Sequence, residues 1–367
     1  MDADCIVIGA GIVGAACAQA LAAAGLDVLV LDDGQPGATA AGMGHLVAMD
    51  DNPAELALSS TSLAQWRDWA PRLPAACEAR ACGTLWIAAD AEEAAEAERK
   101  QARLAGAGVA SRWLDAPALR AAEPALRPGL LGALQVPGDG LIYAPAAAAW
   151  LLHGAGPRLR RERARALALE GDAVQLADGS RRRAPHRLLA SGLHAAALCP
   201  DIALRPKKGH LLITDRYPGT VQHQLVELGY VKSAHHAEGD SVAFNVQARP
   251  TGQLLVGSSR QFDTVDPAVE PSMLARMLRR AIHYLPGLAD LNAIRSWTGL
   301  RAATADGLPL LGAHPRHAGL WLALGHEGLG VTTAPASAAL LAALVTGALP
   351  PLDPLPYAPA RLLGGRA

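Results

Sequence analysis

Cysteine is sparse and unpatterned: five residues, at positions 5, 17, 77, 82 and 199, with no CxxC pair and no metal-ligand rhythm. An odd, scattered set excludes a disulfide framework and reads as reduced, mostly buried thiols in a cytoplasmic protein, with no metal expected. Charge of one sign is missing too, since 33 basic residues stand against 34 acidic ones. Such a balance marks neither a nucleic-acid partner nor a membrane surface. Asp2 and Asp4 stand where an export signal would carry Lys or Arg, and the apolar stretch behind them is cut by a glycine turn, so neither export nor spanning is expected. Residues 331–350 are apolar and uncharged, but Pro335 interrupts them and Gly347 closes them, which predicts a buried core helix too short to cross a bilayer. Internal repeats and low-complexity linkers are absent, and the alanine bias is compositional.

What the chain does have is an apolar majority: 51% of its 367 residues, enough for one large or two intimately joined domains. Its most informative stretch comes first. Cys5 to Ile8 is an apolar run of strand length, Gly9-Ala-Gly11 breaks it, an alanine-rich helix follows from Ile12 to Ala24, and Asp27 to Leu31 is a second buried strand closed by Asp32 and Asp33. Strand, turn, helix and strand within about thirty residues form the βαβ unit that binds dinucleotides. Gly9 permits the turn, Gly11 lets backbone approach a pyrophosphate, and Gly14 lets helix and strand pack closely. Unpaired N–H groups at the helix start favour phosphates, and Asp32 is spaced to accept ribose hydroxyls. The alternative is a glycine turn in an ordinary α/β protein.

The following loop, Gly34 to His45, is small and flexible in composition. Thr39 could donate to a phosphate, and Gly42 and Gly44 could leave room for a flat ring. Glu55 to Leu73 reads as an amphipathic helix with Trp66 and Trp69 in the core. Asp90 to Leu104 is a charged helix whose pairs, such as Glu96 and Lys100, suggest a solvated face. Pro145 suits the start of a helix over 146–152. After a turn at Asp178-Gly179, the run from Arg187 to Ala190 and its Ser191-Gly192 ending suggest a return to the first sheet. Leu204 to Thr214 and Ser241 to Gly257 are the most strand-like stretches of the middle. There, period-two alternation sets Phe244 and Val246 on one face and Asn245 and Gln247 on the other, facing either a polar pocket or solvent. Towards the end come Trp297-Thr-Gly-Leu-Arg301, a strand over 320–324 and Gly325-His-Glu-Gly-Leu-Gly330 before a helix. This arrangement repeats the strand, glycine turn and helix start of the opening.

Taken together, these motifs resemble the FAD-dependent oxidoreductases of the D-amino-acid oxidase family, most closely the glycine oxidase and bacterial amino-acid dehydrogenase branch. The resemblance runs nearly end to end. It includes Gly9-Ala-Gly-Ile-Val-Gly14, Asp32 in place of the commoner Glu, Ala40-Ala-Gly-Met43, Leu114-Asp115, Glu123-Pro124 and Ala190-Ser-Gly192. It continues through Arg205-Pro-Lys-Lys-Gly209, Gln253-Leu-Leu-Val-Gly257, Trp297 to Arg301, Asp306-Gly-Leu-Pro309 and Gly325-His326. It implies an α/β fold: a Rossmann-like FAD-binding domain from residues 1–80, 140–200 and 300–367, with an inserted mixed-sheet substrate domain from 81–139 and 201–299. The FAD would be noncovalent, because tethering relatives often use a C-terminal cysteine and none follows Cys199. NAD is the runner-up cofactor, disfavoured because the match extends to the C-terminal flavin-facing motif, and no second GxGxxG unit in mid-chain suggests a pyridine nucleotide as the direct reductant or oxidant.

By the same resemblance the cofactor would be held by Gly9, Gly11, Ile12, Val13, Gly14, Asp32, Asp33, Thr39, Ala40, Gly42, Met43, Gly44, Ala166, Ser191, Gly192, Gly299 and Arg301. The segment Gly325, His326, Glu327, Gly328, Leu329 and Gly330 would lie at the flavin's pyrimidine edge. Arg301 matches the arginine that grips the substrate carboxylate, a task suited to a planar guanidinium. Asn245 falls where glycine oxidase-like members carry a substrate-side tyrosine, and Gly328 near a position where some carry arginine; both changes leave more room than glycine needs. His45 and His326 are further pocket candidates.

The resemblance implies hydride transfer from an amino acid's α-carbon to the flavin, giving an imine, with oxygen or an electron-transfer acceptor reoxidising it. No general base is required if the amine binds neutral. A cyclic or D-configured substrate such as cis-4-hydroxy-D-proline is expected. The alternatives are a sarcosine or glycine oxidase and, in a different class, a noncatalytic FAD-binding subunit of a larger complex. Homo-oligomers and hetero-oligomeric dehydrogenases are both compatible.

Overall fold

The computed structural model describes residues 1–229 and 239–364. A six-stranded sheet forms first from the opening unit. Its spatial order is Leu310–Ala313, Leu320–Leu324, His186–Leu189, Cys5–Ile8, Val28–Asp32 and Leu159–Arg163. All neighbours pair in parallel except the Leu310–Ala313 and Leu320–Leu324 hairpin. Every residue of Cys5–Ile8 is buried, as a parallel strand covered on both faces requires. The chain therefore returns to this sheet at His186–Leu189, as the sequence suggests. The opening helix, Ile12–Ala23, packs against Gly330–Thr346 and Ala144–Gly154 in one apolar core.

A second, eight-stranded sheet runs Ala293–Ala303, Arg205–Arg216, Gln253–Phe262, Ser241–Ala248, Gln224–Glu227, Thr84–Ala88, Gly132–Val136 and Arg112–Asp115. Only Gln224–Glu227 and Thr84–Ala88 pair in parallel. The strand-like stretch from Ser241 to Gly257 forms two strands, because Pro250 and Gly252 turn the chain and the Gly252 N–H closes on the Arg249 carbonyl. The two faces differ as alternation predicts. Phe244 and Val246 enter an apolar core under the Pro271–Tyr284 helix, where Phe244 stacks on Tyr284 with ring centres 4.5 Å apart. Asn245 and Gln247 face the other way, toward the loop that carries Met43 and His45.

Two expectations fail for instructive reasons. Pro335 does not interrupt its helix: Gly330–Thr346 is continuous, and Gly347 closes it at φ 72°. A proline inside a helix strips the carbonyl four residues back of its partner. Here that carbonyl, on Val331, accepts the Trp66 indole N–H at 3.1 Å, and the Ala336 N–H donates to Ser62 Oγ at 3.1 Å. The neighbouring Pro53–Trp69 helix thus repairs the defect. No helix among the described residues is long and apolar enough to cross a membrane. Lys100 is not on a solvated face; it is 3% exposed, ion-paired with Asp50, with its ammonium 4.0 Å from the Trp86 ring centre. Glu96 pairs instead with Arg99 and Arg103, both at 2.7 Å.

Candidate active site

At the opening glycine turn, glycine is required by space. Gly9 has φ 108°, and a Cβ there would lie 2.7 Å from the Ala190 carbonyl oxygen. A Cβ on Gly14 would lie 2.0 Å from the Gly9 oxygen, so the helix approaches the strand only through a glycine. Gly11 caps the opening helix without a side-chain partner, while Thr39 Oγ1 accepts the Ile12 N–H at 2.9 Å and keeps its own proton to donate. The Asp32 carboxylate accepts the Ala10 N–H at 2.7 Å on one oxygen and the Gly34 N–H at 2.8 Å on the other. Each oxygen retains a lone pair for a ribose hydroxyl. Val13 borders the same turn, its methyl 3.6 Å from the Cβ position of Gly330.

The other expected cofactor residues have the following surroundings. Asp33 closes a local turn by accepting the Gln35 N–H. Ala166 starts a separate strand, and the residue beside Asp32 is Ala164, whose N–H donates to the Asp32 carbonyl at 3.0 Å. Ser191 carries a buried hydroxyl without a partner among the described residues, next to Gly192 at φ 57°. Ala40 lies in the short helix Ala38–Ala41, and a Cβ on Gly299 would meet Ala41 Cβ at 2.5 Å. Gly42 follows this helix, its N–H on the Ala38 carbonyl. Gly44 makes room for the chain rather than for a ring: a Cβ there would lie 1.8 Å from the Ile142 oxygen. Met43 is buried against Leu211 and Leu255, and its carbonyl accepts Gln247 Nε2 at 2.6 Å.

At the other end of the loop His45 sits in a hydrogen-bonded chain. Gln224 Nε2 donates to the Gly140 carbonyl at 2.7 Å and to Thr84 Oγ1 at 3.2 Å, which leaves Gln224 Oε1 to accept from His45 Nδ1. His45 Nε2 is then the acceptor for Asn245 Nδ2 at 3.1 Å. Burial pushes the His45 pKa down to about 4, so the ring is neutral near pH 7 and holds this tautomer. The consequence falls on Asn245: with its NH₂ committed, its Oδ1 is buried without a partner among the described residues, as is Gln247 Oε1 two residues along the same face.

Arg301 lies on this face of the sheet. Its guanidinium passes over Gly209, whose Cβ would stand 2.6 Å from NH2, and among the described residues it makes one long hydrogen bond, to the Ser259 carbonyl at 3.3 Å. Burial pushes its pKa down and Glu327 opposes that. Glu327, at φ 49°, pairs with Lys207 at 2.9 Å and sends its N–H to the Ala302 carbonyl. Gly328 faces the Arg301 stem, and the Leu329 N–H closes on the His326 carbonyl. His326 Nε2 lies 3.1 Å from Ser337 Oγ, and burial pushes its pKa down to about 4. That contact ties the turn to the C-terminal helix.

Sequence reasoning missed Gln224, Lys207, Ser259 and Glu55. Burial, with repulsion from Asp51 and Glu327, pushes the Glu55 carboxyl up to about 8, and Arg260, pushed down by burial, belongs to the same charged group. Lys207 alone had a signal, its place in Arg205-Pro-Lys-Lys-Gly209.

A family model described as "FAD dependent oxidoreductase" matches residues 4–344. Glycine oxidase of Pseudomonas aeruginosa is 28% identical, across 98% of this chain and 99% of that protein. The crystal structure of glycine oxidase from Geobacillus kaustophilus is 27% identical, covers 98% of both chains and superposes with a TM-score of 0.86. L-proline dehydrogenase from P. horikoshii, 21% identical, covers 100% of this chain and 99% of its own with a TM-score of 0.88, a likeness of fold.

Proposed function

The chain belongs to the FAD-dependent oxidoreductase family, in its glycine oxidase branch, and from that premise we propose that it oxidises the C–N bond of a small cyclic amino acid, with cis-4-hydroxy-D-proline the leading candidate. The residues suit FAD. Gly9 and Gly14 sit where a Cβ would collide with backbone, Gly11 brings no capping side chain of its own to the helix start, and among the described residues the Ser191 hydroxyl lacks a partner. Asp32 would take the ribose, Thr39 and the Gly11 helix start the phosphates, and the Gly325 to Gly330 turn the flavin edge. The segments 1–80, 140–200 and 300–367 would make the flavin domain, and 81–139 and 201–299 the substrate domain. Bound FAD supplies a two-electron acceptor for the hydride on the carbon that bears the amine.

The observation that carries the proposal is a part-buried guanidinium and a buried amide oxygen on one face, both short of partners among the described residues: Arg301 and Asn245 Oδ1. The guanidinium binds the carboxylate, bidentate and planar. Asn245 Oδ1 accepts the amine N–H, and the neutral His45 ring prevents the amide from flipping. Gln247 Oε1 offers an acceptor for a ring hydroxyl. A substrate amine so held presents its α-hydrogen in one orientation, which sets handedness.

An anaerobic titration of the yellow protein with D- and L-proline, the hydroxyprolines, sarcosine, glycine and D-alanine tests this. Bleaching of the flavin band by one hydroxyproline isomer at the lowest concentration is expected. Bleaching by sarcosine or glycine alone would overturn the substrate assignment, and admission of air then separates an oxidase from a dehydrogenase.

A further inference from the structure

We propose that Cys199, Asp201, His314 and His317 form a binding site for a divalent transition metal, zinc by preference, at the edge of the first sheet away from the nucleotide turns. The cofactor-side turns follow the C-terminal ends of Cys5–Ile8 and Leu320–Leu324, whereas His317 precedes the N-terminal end of the latter strand. No role in the oxidation is assigned to the cluster.

Two short turns deliver the donors. Cys199-Pro-Asp201 ends the helix Ala195–Leu198, with the Cys199 N–H on the Ala195 carbonyl. His314-Pro-Arg-His317 joins the two hairpin strands and is closed by His314 N–H to the Leu320 carbonyl and Leu320 N–H to the His317 carbonyl. One donor atom from each of the four residues lies within 4.8 Å of all the others. Cys199 Sγ is 3.7 Å from His314 Nε2, and Asp201 Oδ2 is 3.2 Å from His314 Nε2 and 3.9 Å from His317 Nε2. Tetrahedral zinc with bonds of about 2.0–2.3 Å separates its ligands by roughly 3.3–3.8 Å, so these distances already approach those of a loaded site. The outlier is Cys199 Sγ to Asp201 Oδ1, 2.8 Å, a thiol hydrogen bond that a metal would replace.

The donor set has the right charge. A thiolate and a carboxylate neutralise a divalent ion, and two neutral imidazoles complete a nitrogen, sulfur and oxygen shell suited to zinc. Arg316, already bonded to Asp201, would remain as the outer partner of the carboxylate. Loading has two proton requirements. The thiol proton must leave to solvent. The His314 proton must move from Nε2 to Nδ1, where the Arg316 N–H now donates at 3.2 Å. Uptake therefore strengthens as pH rises. The cysteine spacing hid this site because the first of its histidine partners, His314, lies 115 residues away.

The test is zinc content. Flavin-loaded protein, stripped with chelator and dialysed against micromolar zinc, is expected to retain one zinc per chain and to melt at a higher temperature than the stripped form. Cys199→Ser should abolish uptake and His317→Ala weaken it by about tenfold or more, while Cys82→Ser, outside the cluster, should retain it. No uptake by the parent, or equal uptake by Cys199→Ser or His317→Ala, would overturn the proposal. If the buried Cys199→Ser variant fails to fold, His317→Ala decides alone, since that side chain is 53% exposed.

Discussion

The opening glycine turn and the Asn245 face of the large sheet, the two regions proposed to bind cofactor and substrate, are built in opposite ways. The turn is built from backbone: its glycines are fixed by collisions with carbonyls, and the Asp32 carboxylate is held by two neighbouring amides. The sheet face is built from side chains that converge from distant strands and leave atoms short of partners, Arg301, Asn245 Oδ1 and Gln247 Oε1 among them. A shared cofactor demands a fixed cradle, whereas a substrate demands groups left unsatisfied until it arrives. The first region should fail by losing its shape and the second by losing its ligand.

Breaking the turn should have the largest effect. Gly14→Val forces carbon into the 2.0 Å gap above the Gly9 oxygen, and the expected result is protein without flavin or without a cooperative melt, read from the visible spectrum and calorimetry. A folded, yellow Gly14→Val variant would refute the backbone account. Next is Arg301→Ala, expected to keep its flavin but lose kcat/KM by ~10³-fold, about 4 kcal/mol for removing one partner of a buried charge pair. Asn245→Ala should cost about 1.5–3 kcal/mol in kcat/KM if its oxygen accepts the amine. Gln247→Leu should penalise hydroxyproline more than proline, and equal losses on both would remove the ring-hydroxyl role.

Acidity sharpens the contrast more gently. His45 and His326 are pushed from the usual 6.5 down to about 4. Between those values the unfolded chain binds more protons than the folded one, so their stabilising contribution is full above pH 6.5 and lost as pH falls toward 4. Glu55 runs the other way: pushed from 4.5 up to about 8, it contributes fully below pH 4.5 and loses that contribution as pH rises toward 8. Melting temperature against pH should show both slopes. His326→Asn should flatten the acid limb and Glu55→Gln the alkaline one. The smallest effect expected is Thr39→Val, which removes the acceptor for the Ile12 N–H and should cost about 1 kcal/mol in a melt.

The sequence by itself determined the opening βαβ unit, the return to the first sheet, the two-faced alternation around Asn245 and the family to which the chain belongs. Each rests on residues close together in the chain or on motifs in a set order, where strand period, glycine geometry and helix ends act locally. Tertiary structure alone decided the rest. Pro335 stays helical because Trp66 reaches across 265 residues to the freed carbonyl. Lys100 is buried because Asp50 waits 50 residues away. His45 and His326 take Gln224 and Ser337 as hydrogen-bond partners, the first 179 residues distant. A side chain's charge, tautomer and free valence depend on what the folded chain sets against it, and periodicity carries no record of that.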